Sequence, residues 1–156
     1  MVILKPPAPL VIPASARVVF LAGSIEMGAA EDWQHTLTAA LGDPLTDHLT
    51  VLNPRREEWD ASWRQSIEEP RFREQVEWEL DGLDRADVIA MWFAGGTKSP
   101  ITLLELGLHA RGGKLIIGCP PEFWRRGNIE VVSARCGIPL HATWDAFQAA
   151  VLTACA

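Results

Sequence analysis

The feature that most constrains this chain is an ordered alternation of short, continuously apolar runs with longer amphipathic ones. Arg17 to Ala22 (R-V-V-F-L-A), Leu49 to Leu52, Asp87 to Phe93 (D-V-I-A-M-W-F) and Lys114 to Cys119 are short, β-rich runs bounded by loop residues. They lack the apolar–polar alternation of a strand with one wet face, which predicts strands buried on both faces. Between them the period becomes helical. Ala30 to Leu41 carries Trp33, Leu37, Ala40 and Leu41 and stops at Gly42-Asp43-Pro44. Pro70 opens a helix to about Ala86, with Phe72, Val76, Leu80 and Leu83 as its inward stripe, and Ser99-Pro100 opens another to about Arg111. A helix is expected over Asn128 to Cys136, a short strand near Leu140, and Thr143 as cap of a last helix from Trp144 to Cys155. The pattern predicts an α/β fold: a doubly wound, about five-stranded parallel sheet with helices on both faces.

Ligands bind such sheets beyond the carboxyl ends of the strands, here the loops at Gly23, Asn53, Ala94 and Pro120. The 156 residues fit one domain, expected over residues 17–156 after an extended N-terminal arm, 1–16. Pro6, Pro7, Pro9 and Pro13 interrupt that arm, so it does not read as a signal peptide. With 14 Lys and Arg against 20 Asp and Glu, the net charge of -6 argues against nucleic acid as a partner. No stretch is apolar enough to span a bilayer, so a soluble protein is expected, and Cys119, Cys136 and Cys155 are too widely spaced for a disulfide framework, which suits a reducing, cytoplasmic setting. His35, His48, His109 and His141 show no ligand spacing, and neither a dinucleotide nor a P-loop glycine pattern is present, so no metal and no cofactor are expected.

Two carboxylates sit where a soluble helix rarely puts them. Glu105 lies in I-T-L-L-E-L-G-L, apolar almost all round, in what reads as a buried helix. An unpaired carboxylate there costs several kcal/mol, so it has a partner or a function. Glu79 lies between Val76 and Leu83 on the edge of its helix's stripe, where a glutamate is also often just solvated. A doubly wound sheet can bring the two helices to one cleft. Gly23-Ser24, between strand and helix, offers backbone N–H groups to a phosphate, a carboxylate or a sugar hydroxyl. Asn53, Arg55, Trp59 and Trp63 combine polar and flat groups able to hold a heterocyclic base, or else form an ordinary loop with its tryptophans packed down.

Together F-L-A-G-S-I-E at Phe20 to Glu26, N-P-R-R-E-E-W-D at Asn53 to Asp60, F-R-E-Q-V-E-W-E-L at Phe72 to Leu80, A-D-V-I-A-M-W-F at Ala86 to Phe93 and S-P-I-T-L-L-E-L-G at Ser99 to Gly107 resemble the nucleoside 2-deoxyribosyltransferase superfamily. The resemblance implies a flavodoxin-like, cytoplasmic enzyme of nucleoside salvage, acting on free nucleosides and nucleobases, that transfers a 2-deoxyribosyl group by double displacement. It implies Glu105 as nucleophile and Glu79 in place of an aspartate that handles the base. It implies substrate contacts from Gly23, Ser24, Ile25, Asn53, Arg55, Trp59, Asp87 and Ser99. Asn128, in R-G-N-I-E-V-V, matches an asparagine that reaches the sugar from a neighbouring subunit, which implies a homo-oligomer with a shared site.

The sequence departs from the family at two further positions. Phe20 stands where one branch has a tyrosine touching the nucleophile, and the chain has no tyrosine. Ser99 replaces an aspartate and resembles the related N-hydrolases that hold a 5′-phosphate. The rival expectations are therefore a hydrolase of nucleosides or their 5′-monophosphates, and a non-catalytic nucleotide-sensing module.

Overall fold

The computed structural model describes residues 1–25, 31–42, 48–58 and 60–156. Its elements are β1 (Val2–Leu4), β2 (Arg17–Gly23), α1 (Trp33–Leu41), β3 (Leu49–Leu52), α2 (Pro70–Arg85), β4 (Val88–Trp92), α3 (Pro100–His109), β5 (Leu115–Gly118), α4 (Arg126–Cys136), β6 (Leu140–His141) and α5 (Trp144–Cys155). Among the described residues the sheet has six strands in the order β1-β3-β2-β4-β5-β6, and all its pairs are parallel. The predicted strands are all present. The sixth comes from the N-terminal arm, where Val2 to Leu4 pairs with Thr50 to Leu52 as an edge strand. Three residues are too few to display a period, and the prolines around them masked the signal.

The strands read as continuously apolar because both faces are covered. Val18, Phe20 and Ala22 of β2 point into the core under α2, α3 and α4, whereas Val19 and Leu21 point into the one under α1 and α5. The chain steps from β2 to β3 on one side, then crosses back over β2 to β4, so β2 and β4 flank the point where winding reverses.

The inward face of α2 differs from the expected stripe. Gln75, Trp78, Gly82 and Leu83 are buried, while Phe72 and Val76 are only half-buried and Leu80 is 41% exposed. Packing against Phe20 decides this register. The Trp78 ring lies 6.1 Å from that of Phe20, and a Cβ on Gly82 would come within 2.8 Å of the Phe20 ring, so only glycine lets the helix sit this close. The α3 helix is likewise not sealed in the core. It buries Thr102, Glu105 and Leu106 and leaves Ile101, Leu104 and Leu108 at 59%, 58% and 60% exposure. Among the described residues no helix is long and apolar enough to cross a membrane.

Candidate active site

Glu105 lies on the second turn of α3, on the face turned to the sheet, and is 8% exposed. No hydrogen bond or ion pair engages it among the described residues. Burial, reinforced by the charge of Glu79, pushes its carboxyl up to about 8. Glu79, half-buried on α2, is pushed up to about 7 by burial, against a hydrogen bond from Gln75 that favours its ionised form. Burial thus raises both carboxyls, and the charge of Glu79 on α2 is felt by Glu105 on α3, so the ionised form of Glu105 is disfavoured twice over.

Gln75, not singled out from the sequence, holds this arrangement. Its Nε2 donates to Glu79 Oε1 at 2.7 Å and to the Pro54 carbonyl at 3.0 Å. A glutamine on a polar-looking helix carries no signal of its own; only the true register of α2 turns it inward. Asn53, buried at the end of β3, accepts from the Arg55 amide at 3.0 Å and sends its own N–H to the Leu4 carbonyl, so the loop is pinned on both sides of Pro54.

A second polar cluster stands where β2 and β4 end. Ser24 Oγ lies 2.5 Å from Ser99 Oγ and 3.0 Å from Thr97 Oγ1, these last two are 2.8 Å apart, and the Ala94 amide donates to Ser24 Oγ at 2.9 Å. Ser99 occupies the expected cap position of α3, but at φ 46 it turns its hydroxyl to this cluster and makes no side-chain cap bond. The Ser24 amide is not free for an anion, because it donates to the Trp92 carbonyl, and α1 starts only at Trp33. The hydroxyl, not the amide, is what Ser24 offers. Gly23 is needed for close packing: its φ is 146, and a Cβ would lie 2.3 Å from the Trp92 carbonyl. Ile25 follows, half-buried. Beside the cluster a cleft of ≈ 740 Å³ runs along Trp92, Gly95, Thr97, Glu122 and Trp144 and includes neither carboxyl.

Three expected contacts lie apart from the carboxyls. Asp87 sits at the amino end of β4, where its Oδ2 accepts the Val18 amide at 2.8 Å. Five residues of β4 separate that end from the site, roughly 16 Å at the strand rise, so Asp87 clips β2 to β4 and does not meet Glu105. Arg55 turns toward α1, donating to Gln34 Oε1 at 2.8 Å and to the Glu31 carbonyl at 3.1 Å, with Asp32 at 3.2 Å. Asn128 is exposed near the start of α4. Trp59 lies outside the described residues. Trp63 packs down, with the Arg56 and Arg71 guanidinia 5.1 and 4.7 Å from its ring centre, which answers the loop question for that tryptophan in favour of structure.

A six-stranded, all-parallel sheet with helices on both faces defines a flavodoxin-like α/β protein. The chain belongs to the family described as "nucleoside 2-deoxyribosyltransferase like", whose profile matches residues 16–123. A conserved protein from Enterococcus faecalis V583 has the same fold, with a TM-score of 0.59 at 9% identity, covering 90% of this chain and 97% of that one. No curated protein matches the sequence.

Proposed function

We propose that this protein is a nucleoside 2-deoxyribosyltransferase in which Glu105 is the nucleophile and Glu79 the proton carrier. The single observation behind this reading is the buried carboxyl of Glu105, on the helix that follows β4, with no hydrogen bond or ion pair among the described residues. A Glu105 oxygen bonds to C1′ of the sugar as the C1′–N bond breaks, and the departing base nitrogen takes the proton of Glu79. In the second half, Glu79 takes a proton from the incoming base as its nitrogen attacks C1′ and frees Glu105. Positive charge developing on the sugar stabilises the ionised form of Glu105 as the reaction proceeds.

The exposed Ile101, Leu104 and Leu108 on α3 and Leu80 on α2 support a homo-oligomer whose second subunit covers this face and brings its Asn128 to the sugar. The substrates on this reading are free nucleosides and nucleobases in a salvage role. The three free cysteines support a reducing, cytoplasmic setting.

The Ser24–Thr97–Ser99 hydroxyls beside the start of α3 favour a second reading, hydrolysis of a nucleoside 5′-monophosphate, with the cluster meeting the phosphate. One experiment separates the two. Incubated with deoxyinosine and free adenine, the protein is expected to form deoxyadenosine, and Glu105→Ala to form at least 10⁴-fold less while keeping its circular dichroism spectrum. In a parallel arm given deoxyinosine 5′-monophosphate, release of hypoxanthine and deoxyribose 5-phosphate, with no deoxyadenosine formed from deoxyinosine, selects the hydrolase; full exchange by Glu105→Ala removes Glu105 as nucleophile.

A further inference from the structure

Gln75 is 4% exposed, its two N–H groups are committed to different elements, and its Oε1 is a buried acceptor with no hydrogen-bond partner among the described residues. The Pro54 carbonyl can only accept, so the amide orientation is fixed: nitrogen to Pro54 and Glu79, oxygen away from both. A glutamine serving only to fill space would not keep an unmatched oxygen in the interior. The pattern is that of a side chain held for the sake of its donors, one of which meets a carboxyl that must gain and lose a proton.

We propose that Gln75 is a positioning residue that ties Glu79 to the loop after β3, aiming the Glu79 carboxyl at the base and stabilising it when it has given its proton away. The inference rests on the proposed function for what Glu79 does, but the contact itself does not depend on it. The loop begins at Asn53, the residue expected to face the base, and Gln75 grips the very next carbonyl. Movement of that loop when a base enters is therefore transmitted to the acid through one side chain. The charge of Glu79 acts in turn on Glu105 of α3, while Arg55 and Arg56 of the loop are engaged by Asp32 and Glu74. Since the Gln75 donor favours the ionised form, its loss leaves burial to raise Glu79 further.

Gln75→Met keeps length and helix propensity and removes the donors; Gln75→Asn keeps an amide too short for both partners and serves if the first variant does not fold. Two measurements test the inference. Carbon-13 NMR of labelled glutamate follows the titration of Glu79 without needing turnover, and is expected to move upward by half a pH unit or more; an unchanged titration in a folded variant overturns the proposal whatever the protein catalyses. In base exchange, kcat is expected to fall about tenfold or more with KM within about threefold, and the basic limb of the pH profile to move up. In a Glu79→Gln background the same substitution is expected to cost nothing further in kcat. An equal loss in both backgrounds would show that Gln75 acts other than through Glu79.

Discussion

Helices α3 and α5 are both predominantly apolar, yet they use their hydrophobic side chains in opposite ways. The buried face of α5 is Phe147, Val151 and Cys155, what an amphipathic helix laid on a sheet requires. The buried face of α3 is Thr102, Glu105 and Leu106, while Ile101, Leu104 and Leu108 look outward. One helix contributes to the fold; the other gives up part of its own burial to turn a carboxyl inward and an apolar ridge outward. Apolar content alone does not say which way a helix faces, and the helix that violates the ordinary arrangement is the one at the switch point.

The contrast is sharpest in stability. Phe147→Ala in α5 is expected to cost about 3–5 kcal/mol in chemical denaturation, because the ring is fully buried among Trp92, Trp144 and Trp33. A loss below about 1 kcal/mol would place α5 outside the core. On the opposite side of the sheet, Glu79→Gln is expected to lower kcat for base exchange about 100-fold, the size of a general acid–base contribution. It also removes the like charge that raises Glu105, so the acidic limb of the pH profile moves to lower pH, and the basic limb disappears because an amide does not ionise.

The buried acid of α3 carries a signature that α5 lacks. Its folded-state pKa lies above the unfolded value of 4.5, so the folded chain holds more protons than the unfolded one between about pH 4.5 and 8, and stability falls as pH rises through that window. Glu105→Gln is accordingly expected to be more stable than the wild type by on the order of 2 kcal/mol at pH 8, with the difference vanishing near pH 4. Thermal melts across pH check this, and a constant difference at every pH would contradict it. The smallest effect on the fold is expected at the outward ridge. Leu104→Arg should change the stability of a single subunit by less than about 0.5 kcal/mol, while shifting sedimentation to the monomer and lowering exchange activity with it. A wild type that sediments as a monomer would break the oligomer reading at once.

Much of this architecture is legible one residue at a time. The strands β2 to β5 follow from runs too apolar and too short for anything but a covered sheet, and Gly42, Pro70, Pro100 and Thr143 mark helix ends where helices do end or begin. Glu105 stands out because a charge amid leucines is costly wherever the helix points. The stripe expected through Phe72, Val76 and Leu80 is not the buried face of α2, which is Gln75, Trp78, Gly82 and Leu83, so that stripe alone does not make Glu79 legible. Asp87 was drawn into the site by its place in A-D-V-I-A-M-W-F, but a strand has two ends, and only one of them carries ligands.

The sequence by itself determined the alternation of strands and helices, the parallel covered sheet and the presence of one carboxylate that solvation alone would not put in an apolar helix, because these depend on local period and on the cost of burying charge. Only the tertiary structure decided the rotation of α2 on Phe20, the burial that raises Glu79 together with Glu105, the grip of Gln75 on Pro54, and the diversion of Arg55 and Asp87 to structural duties. Those follow from contacts between residues far apart in the chain, where a turn of helix or the choice of strand end changes every partner a side chain can reach.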